Sequence, residues 1–308
     1  MHQEQREGRQ AIARRRSAKL REMLDAATRD RLLRRIGLDA APSADAAGLR
    51  TVHRAFLARV PYEDLAVQLG EAQPLDPGQL VERVLHGGRG GYCFEANTVL
   101  QTLLEALGFP VERRQGIVGA RDAHVRGEPT NHLALVVDTP DAGPFIAEAG
   151  WGEGPLDPLP LAEGPVSVGA FTYTIERDGD GWWVGQHELG SSPGFRFADA
   201  PATLADFQPH HERLSTSADS SFVQTLVVQQ PGDDRIVTLR ARTLFVDGPG
   251  RREREVLDDV AAFTAVLRDR FGIDPEALGP QRVGRLWAQA MEQHAAHQAL
   301  TRSGPAPR

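Results

Sequence analysis

Cysteine is nearly absent from this chain: 308 residues contain one, Cys93, so no intrachain disulfide can form. Long apolar runs are missing too. No window approaches the roughly 18 uninterrupted apolar residues of a membrane span, and Met1 to Lys19 is polar, without the apolar core of a secretory signal. Basic charge is not in excess, since 35 Lys and Arg stand against 42 Asp and Glu for a net −7 and a pI near 5.8. That balance gives no general attraction to nucleic acid or to an anionic membrane. A nucleotide-fold glycine motif is lacking, and no internal repeat is visible. These absences lead to the expectation of a cytoplasmic protein that acts on small or neutral partners, with no metal, nucleic acid or membrane. The 41% hydrophobic content allows a sizeable core, divided into two or three units.

The lone cysteine sits in Arg89-Gly90-Gly91-Tyr92-Cys93-Phe94-Glu95, where a glycine pair leads into a helical pattern. Phe94, Ala96, Val99, Leu100, Leu103, Leu104 and Leu107 give an apolar face that ends at Gly108. Cys93 then falls in the first helical turn, where unpaired N–H groups and the helix dipole favour the thiolate, the nucleophilic form. The alternative is a buried structural thiol packed as a small hydrophobe.

Along the chain, residues 1–28 form an arginine-rich extension, with Leu20, Met23, Leu24 and Ala27 on one helical face. Residues 29–110 read as a helical bundle that carries the thiol. Strands follow over 111–215: Val111 to Val118, His132 to Val137, Phe145 to Ala149, Phe171 to Ile175 and Gly181 to Gln186, separated by Gly, Pro and Asp turns. Residues 216–308 offer two long strands, Phe222 to Gln229 and Arg235 to Val246, then helices over Leu257 to Arg270 and Gln281 to Leu300, and a frayed tail from Ser303.

A cysteine used for acyl chemistry needs a base, and the base needs a group that fixes its tautomer. His132 opens the apolar strand Leu133-Ala134-Leu135-Val136-Val137 and is either that base or a satisfied core histidine. Glu148 is embedded in Phe145-Ile146-Ala147-Glu148-Ala149, a costly place for an unpaired charge. A hairpin register setting Glu148 opposite Ala134 puts it on the same face as His132, diagonal and roughly 7–8 Å away between backbones. Asp138 lies six residues along the strand, roughly 20 Å from His132, and is out of reach. Pairing of Glu148 with Arg113 or Arg114 is the rival arrangement.

Arg89-Gly90-Gly91-Tyr92-Cys93, Asn131-His132-Leu133 and Glu148-Ala149-Gly150-Trp151-Gly152, in this order, resemble the arylamine N-acetyltransferases. The likeness extends to Pro61-Tyr62-Glu63-Asp64-Leu65, Pro158-Leu159-Pro160-Leu161 and the Ser- and Thr-rich segment 215–222, and covers about residues 30–275. It implies an α+β fold: an N-terminal helical bundle, an antiparallel β-barrel and a C-terminal α/β lid, with a catalytic core like that of papain-type enzymes. It also implies ping-pong transfer of an acetyl group from acetyl-CoA through Cys93 to an arylamine, hydrazine or hydroxylamine, with His132 managing protons and Glu148 orienting it. Related amide synthases share these motifs, and would take the acyl chain from an acyl carrier protein in place of an acyl-CoA.

The resemblance places Tyr62 and Trp151 beside the acceptor amine, both where the family commonly has phenylalanine. Glu153 is unexpected there and would meet a cationic or hydrogen-bonding amine. For coenzyme A the matching positions are Arg113, Gly116, Ser217, Ser220 and Ser221. Arg89 is expected to pair with Glu63 as a structural support. The family usually carries aspartate where this chain has Glu148, a carboxylate about 1.5 Å longer in reach.

Overall fold

The computed structural model describes residues 24–302. The arginine triplet Arg14 to Arg16, the face through Leu20 and Met23, and the tail from Ser303 lie outside the described residues.

Helices α1 (Ala26–Arg35) and α2 (Ala46–Leu57) begin on the aspartate caps Asp25 and Asp45. A two-residue strand β1 (Tyr62–Glu63) and the short α3 (Leu65–Gln68) lead to α4 (Pro77–Gly87), which has proline in its first turn and ends on left-handed Gly88. Helix α5 (Cys93–Ala106) is buried along nearly its whole length.

The strands that follow are β2 (Val111–Val118), β3 (His132–Thr139), β4 (Gly143–Ala147), β5 (Leu159–Pro160), β6 (Gly164–Val168), β7 (Phe171–Asp178), β8 (Gly181–Gly185) and β9 (Gly194–Ala202). They form one antiparallel sheet in the order β5-β4-β3-β2-β9-β8-β7-β6, a nearly closed barrel. The expected hairpin register holds, because Leu135 pairs with Ala147 and Val136 with Ile146. Strand β4 ends at Ala147, so Glu148 stands just past the last paired residue. Strands β6 and β9 were not legible in the sequence: β6 is Gly164-Pro165-Val166-Ser167-Val168, with one buried side chain, and β9 trails into exposed Asp199, Ala200 and Pro201.

The C-terminal part comprises α6 (Gln208–Thr216), α7 (Ser221–Gln224), β10 (Val227–Pro231), β11 (Ile236–Arg240), β12 (Thr243–Gly248), β13 (Arg251–Val256), α8 (Val260–Phe271), α9 (Pro275–Leu278) and α10 (Pro280–Arg302). Two sequence expectations fail here. The segment 222–229 begins as the short helix α7, capped by Ser220, before it extends. The segment 235–246 is a hairpin, not one strand, and reverses at Ala241 and Arg242. Ala241 takes φ +50°, the left-handed conformation that such two-residue turns need and that Gly, Asn or Asp normally announces.

Strand β1 crosses over to this second sheet, whose order is β1-β10-β11-β12-β13. Tyr62 therefore lies opposite Gln229, and Glu63 opposite Val228. One hydrophobic cluster joins the N-terminal helices to the barrel, while a second, around Phe263, Leu267 and Phe271, fixes α8 and α10 to the last sheet. No described helix is long and apolar enough to cross a membrane.

Candidate active site

The start of α5 is built by a buried charge network. Gly91 has φ +83°, and a Cβ there would sit 2.6 Å from the Glu95 Cβ, so only glycine fits the turn. Glu63 accepts from Gly91 N at 3.1 Å and Leu65 N at 2.7 Å, and pairs with Arg89 at 3.4 Å. The expected Arg89–Glu63 contact is thus present. Burial opposes ionisation of Glu63, yet the Arg89 and Arg83 charges and the Leu65 N–H hold its pKa below the usual value. Glu95 takes Arg83 on one oxygen at 2.7 Å and the Tyr92 N–H on the other at 3.2 Å, which closes the helix cap.

Cys93 is 2% exposed, and its Sγ donates to the Asn131 carbonyl at 3.2 Å. Burial pushes the thiol well up, the Glu148 charge adds to this, and the Phe94 and Leu133 N–H groups pull the other way. Burial thus opposes the charge that the helix start was expected to favour.

His132 is buried against Phe195, with ring centroids 4.7 Å apart. Its Nε2 donates to Glu148 Oε2 at 2.9 Å, and Nδ1 is buried with no hydrogen-bond partner among the described residues. With Nε2–H committed to a carboxylate, the free lone pair lies on Nδ1. Gly116 is opposite His132 on β2, where a Cβ would lie 3.5 Å from the His132 Cβ and 2.9 Å from the Arg196 carbonyl. The short contact is with the β9 backbone, so glycine here allows β2 and β9 to approach closely, while the imidazole would be in ordinary contact.

Glu148 is fully buried and paired with neither Arg113 nor Arg114, the latter bonding Glu112. Its Oε1 accepts from Asn97 Nδ2 and Gly150 N, both at 2.7 Å. The Asn97 amide also donates to Leu133 O at 2.6 Å and accepts from Ala149 N at 2.8 Å and Gly150 N at 3.1 Å. Behind Glu148, His53 on α2 accepts from the Glu148 N–H through Nε2 and donates through Nδ1 to Leu156 O, each at 2.9 Å. Burial holds the His53 pKa below its ordinary value, which keeps it in that neutral tautomer.

Cys93 and His132 open onto one cavity of about 310 Å³ that also touches Tyr62, Trp151, Glu153, Ser221, Gln229 and Arg240. Four expected ligand-side residues, Tyr62, Trp151, Glu153 and Ser221, are therefore brought together. Ser217, Ser220, Gly116 and Arg113 do not line it. The Ser220 hydroxyl is committed to Leu214 O at 2.6 Å, and Arg113 lies farther along β2, opposite Leu135.

An N-acetyltransferase family model matches residues 45–278. A curated arylamine N-acetyltransferase from Mycolicibacterium smegmatis is 33% identical over 249 residues, 79% of this chain and 90% of that protein. This chain belongs to the arylamine N-acetyltransferases. The solved M. smegmatis arylamine N-acetyltransferase superposes with a TM-score of 0.75 at 31% identity, over 83% of this chain and 96% of that one. The Mycobacterium marinum arylamine N-acetyltransferase, solved in complex with CoA, gives 0.74 at 28% identity, over 84% and 96%. The Escherichia coli arylamine N-acetyltransferase is 26% identical over 244 residues, 78% of this chain and 86% of that one.

For an arylamine N-acetyltransferase, sequence reasoning missed Asn97, His53, Gln229 and Arg240. Asn97 carried a signal, as a polar residue four positions after Cys93 on an apolar helix. His53 is a lone imidazole inside the apolar stretch Leu49 to Leu57. Gln229 and Arg240 had none, since only the pairing of β1 with β10 and of β10 with β11 carries them to the cavity.

Proposed function

We propose that this arylamine N-acetyltransferase works in the cytoplasm and carries an acetyl group from acetyl-CoA to an arylamine, hydrazine or related amine through an acetyl thioester on Cys93. The observation that carries this reading is the His132 ring: Nε2 is held by Glu148 and Nδ1 is left free, on the same cavity as a buried thiol.

In the first half-reaction, the Cys93 proton passes to His132 Nδ1 as sulfur attacks the thioester carbonyl. The Glu148 carboxylate stabilises the resulting imidazolium. The Cys93 N–H, in the first turn of α5 and without an intrahelical acceptor, is the donor to the tetrahedral oxyanion. The carbon–sulfur bond to coenzyme A then breaks, and its thiolate takes the proton from the imidazolium. In the second half-reaction, an amine attacks acetyl-Cys93 and loses a proton to His132. Cys93 leaves as the thiolate and is reprotonated by the imidazolium, which restores the resting state.

Tyr62 and Trp151 supply aromatic faces for a planar acceptor. Burial raises the pKa of the Tyr62 phenol well above its ordinary value, with the Glu148 and Glu153 charges acting in the same direction. Arg240, exposed at the cavity edge, and Ser221 are the groups suited to coenzyme A phosphates.

Intact-mass measurement after mixing with acetyl-CoA tests this directly. One added acetyl group is expected on Cys93, and none on Cys93→Ala or His132→Ala. Acetylation that survives in folded Cys93→Ala would sink the assignment.

A further inference from the structure

Acyl transfer through Cys93 makes no use of the Glu153 carboxyl. That side chain is 9% exposed and lines the cavity that holds the thiol. Oε1 accepts from Gln229 Nε2 at 2.8 Å and Oε2 from the Ser191 N–H at 2.6 Å. Both donors are neutral, and no arginine or protonated histidine pairs with Glu153 among the described residues. His187 packs behind it, but its Nε2 contacts the Glu153 main-chain oxygen at 3.2 Å, and burial holds its pKa down, so it brings no charge. Arg240 faces the same cavity from beside Val227, two residues along β10 from Gln229 or roughly 7 Å away, and makes no ion pair with Glu153.

A carboxylate so placed is costly unless a cation completes it. Its two oxygens can accept about four hydrogen bonds in all, and two of those places are filled. The protein fixes the carboxylate's orientation through Gln229 and Ser191, and leaves its cavity side for a ligand. The aromatic walls Trp151 and Tyr62 stand on the same cavity.

We propose that Glu153, oriented by Gln229, forms a cation subsite in the acceptor cavity. It would select arylamines that carry a second, positively charged N–H group besides the reacting nitrogen. An amidinium or a protonated amine is the matching chemistry, since either can give a charge-assisted hydrogen bond to the carboxylate. The proposal rests on the reading of this cavity as the arylamine site.

The test uses binding and turnover separately. Benzamidine and benzoate have no acceptor nitrogen, and their affinities for the full-length protein are read by calorimetry. Benzamidine is expected to bind at least about tenfold more tightly than benzoate, with that preference lost in Glu153→Gln. In turnover, the kcat/KM ratio of 4-aminobenzamidine to 4-aminobenzoate should fall about tenfold or more in Glu153→Gln, with 4-aminobenzamide between them. Equal benzamidine affinity in the two proteins, within about twofold, overturns the subsite. If Glu153→Gln does not fold, Gln229→Leu keeps the charge and removes a neutral donor. With the donor that orients the carboxylate gone, the preference for benzamidine should weaken by about threefold or more, and a preference unchanged within about twofold overturns the proposal. Failure of acetyl-CoA to acetylate the wild-type protein would sink the acyl-transfer reading alone, because the benzamidine contrast is measured without turnover.

Discussion

Asn97 lies one helical turn beyond Cys93 on α5 and donates its side-chain amide to the Glu148 carboxylate at 2.7 Å. The helix that presents the sulfur is thereby joined to the segment that orients His132, through one fully buried side chain with four hydrogen bonds. Cutting this link in Asn97→Ala strands the Ala149 N–H and the Leu133 carbonyl in the interior. A loss of roughly 3 kcal/mol or more in unfolding free energy is expected, read by urea denaturation. A loss under about 0.5 kcal/mol would mean that the network is not needed.

Gly150 marks how closely these two pieces approach. A Cβ at this position would fall 2.7 Å from both the Cys93 Cα and the Asn97 Nδ2. Gly150→Ala must push the loop after Glu148 away from α5. Acetylation of Cys93 by acetyl-CoA should slow by about tenfold or more, because small displacements of reacting groups are expensive in rate. Stopped-flow release of coenzyme A measures it, and an unchanged burst rate would argue against this contact as a constraint.

Glu148→Gln keeps the size of the side chain and removes its charge. The new amide has to face donors from Asn97, Gly150 or His132, so the Nε2–H tautomer of the imidazole loses its acceptor or the amide collides with an N–H. A rate loss of roughly 10³–10⁴ is expected by analogy with other orienting carboxylates. Glu148→Asp withdraws the oxygen by about 1.5 Å from Nε2 and should cost less, provided that the fold is kept. Turnover within about threefold of wild type in Glu148→Gln would remove this residue from the proton relay.

Asp64 is buried, with Oδ1 accepting from Val227 N at 2.9 Å and Oδ2 without a hydrogen-bond partner among the described residues. Burial raises its pKa well above the usual value, and the nearby Glu63 charge adds to the shift. A carboxyl that binds its proton more tightly when folded stabilises the protein below the unfolded value of 3.8, and that contribution is lost as pH rises through the folded pKa. Asp64→Asn keeps an oxygen for Val227 and cannot ionise. It should be the more stable protein at pH 7, by about 1 kcal/mol or more, with the gap closing towards pH 4. Chemical denaturation at several pH values checks both the sign and the trend.

His53 makes the opposite prediction at low pH. Its folded pKa lies below 6.5 because of burial, so the unfolded chain takes up a proton first as pH falls. The stability it contributes is present above pH 6.5 and is lost below it. Protonation would also end its role as acceptor for the Glu148 N–H. Denaturation midpoints should fall as the pH drops below 6.5, with a slope that is smaller in His53→Gln. His187, His210 and His294 are also depressed by burial, so part of the slope should persist.

The local features of this protein were written in its sequence. A glycine pair before an apolar helical face fixes where Cys93 begins α5, and the strict two-residue period of a strand fixes which side chains share a face. His132 and Glu148 were therefore legible as neighbours once the hairpin was drawn, and the observed register is the expected one. The hairpin at Ala241 has no sequence signal, because an alanine takes the conformation that glycine normally advertises.

Contacts between segments distant in sequence were decided by the tertiary structure. Asn97 and His53 close on Glu148 from two helices, and Gln229 reaches Glu153 from β10 of the second sheet, beside β1. The sulfur's acidity was settled in the same way. A helix start favours its charge, whereas desolvation, which depends on everything packed around Cys93, opposes it and pushes the thiol pKa well above its usual value.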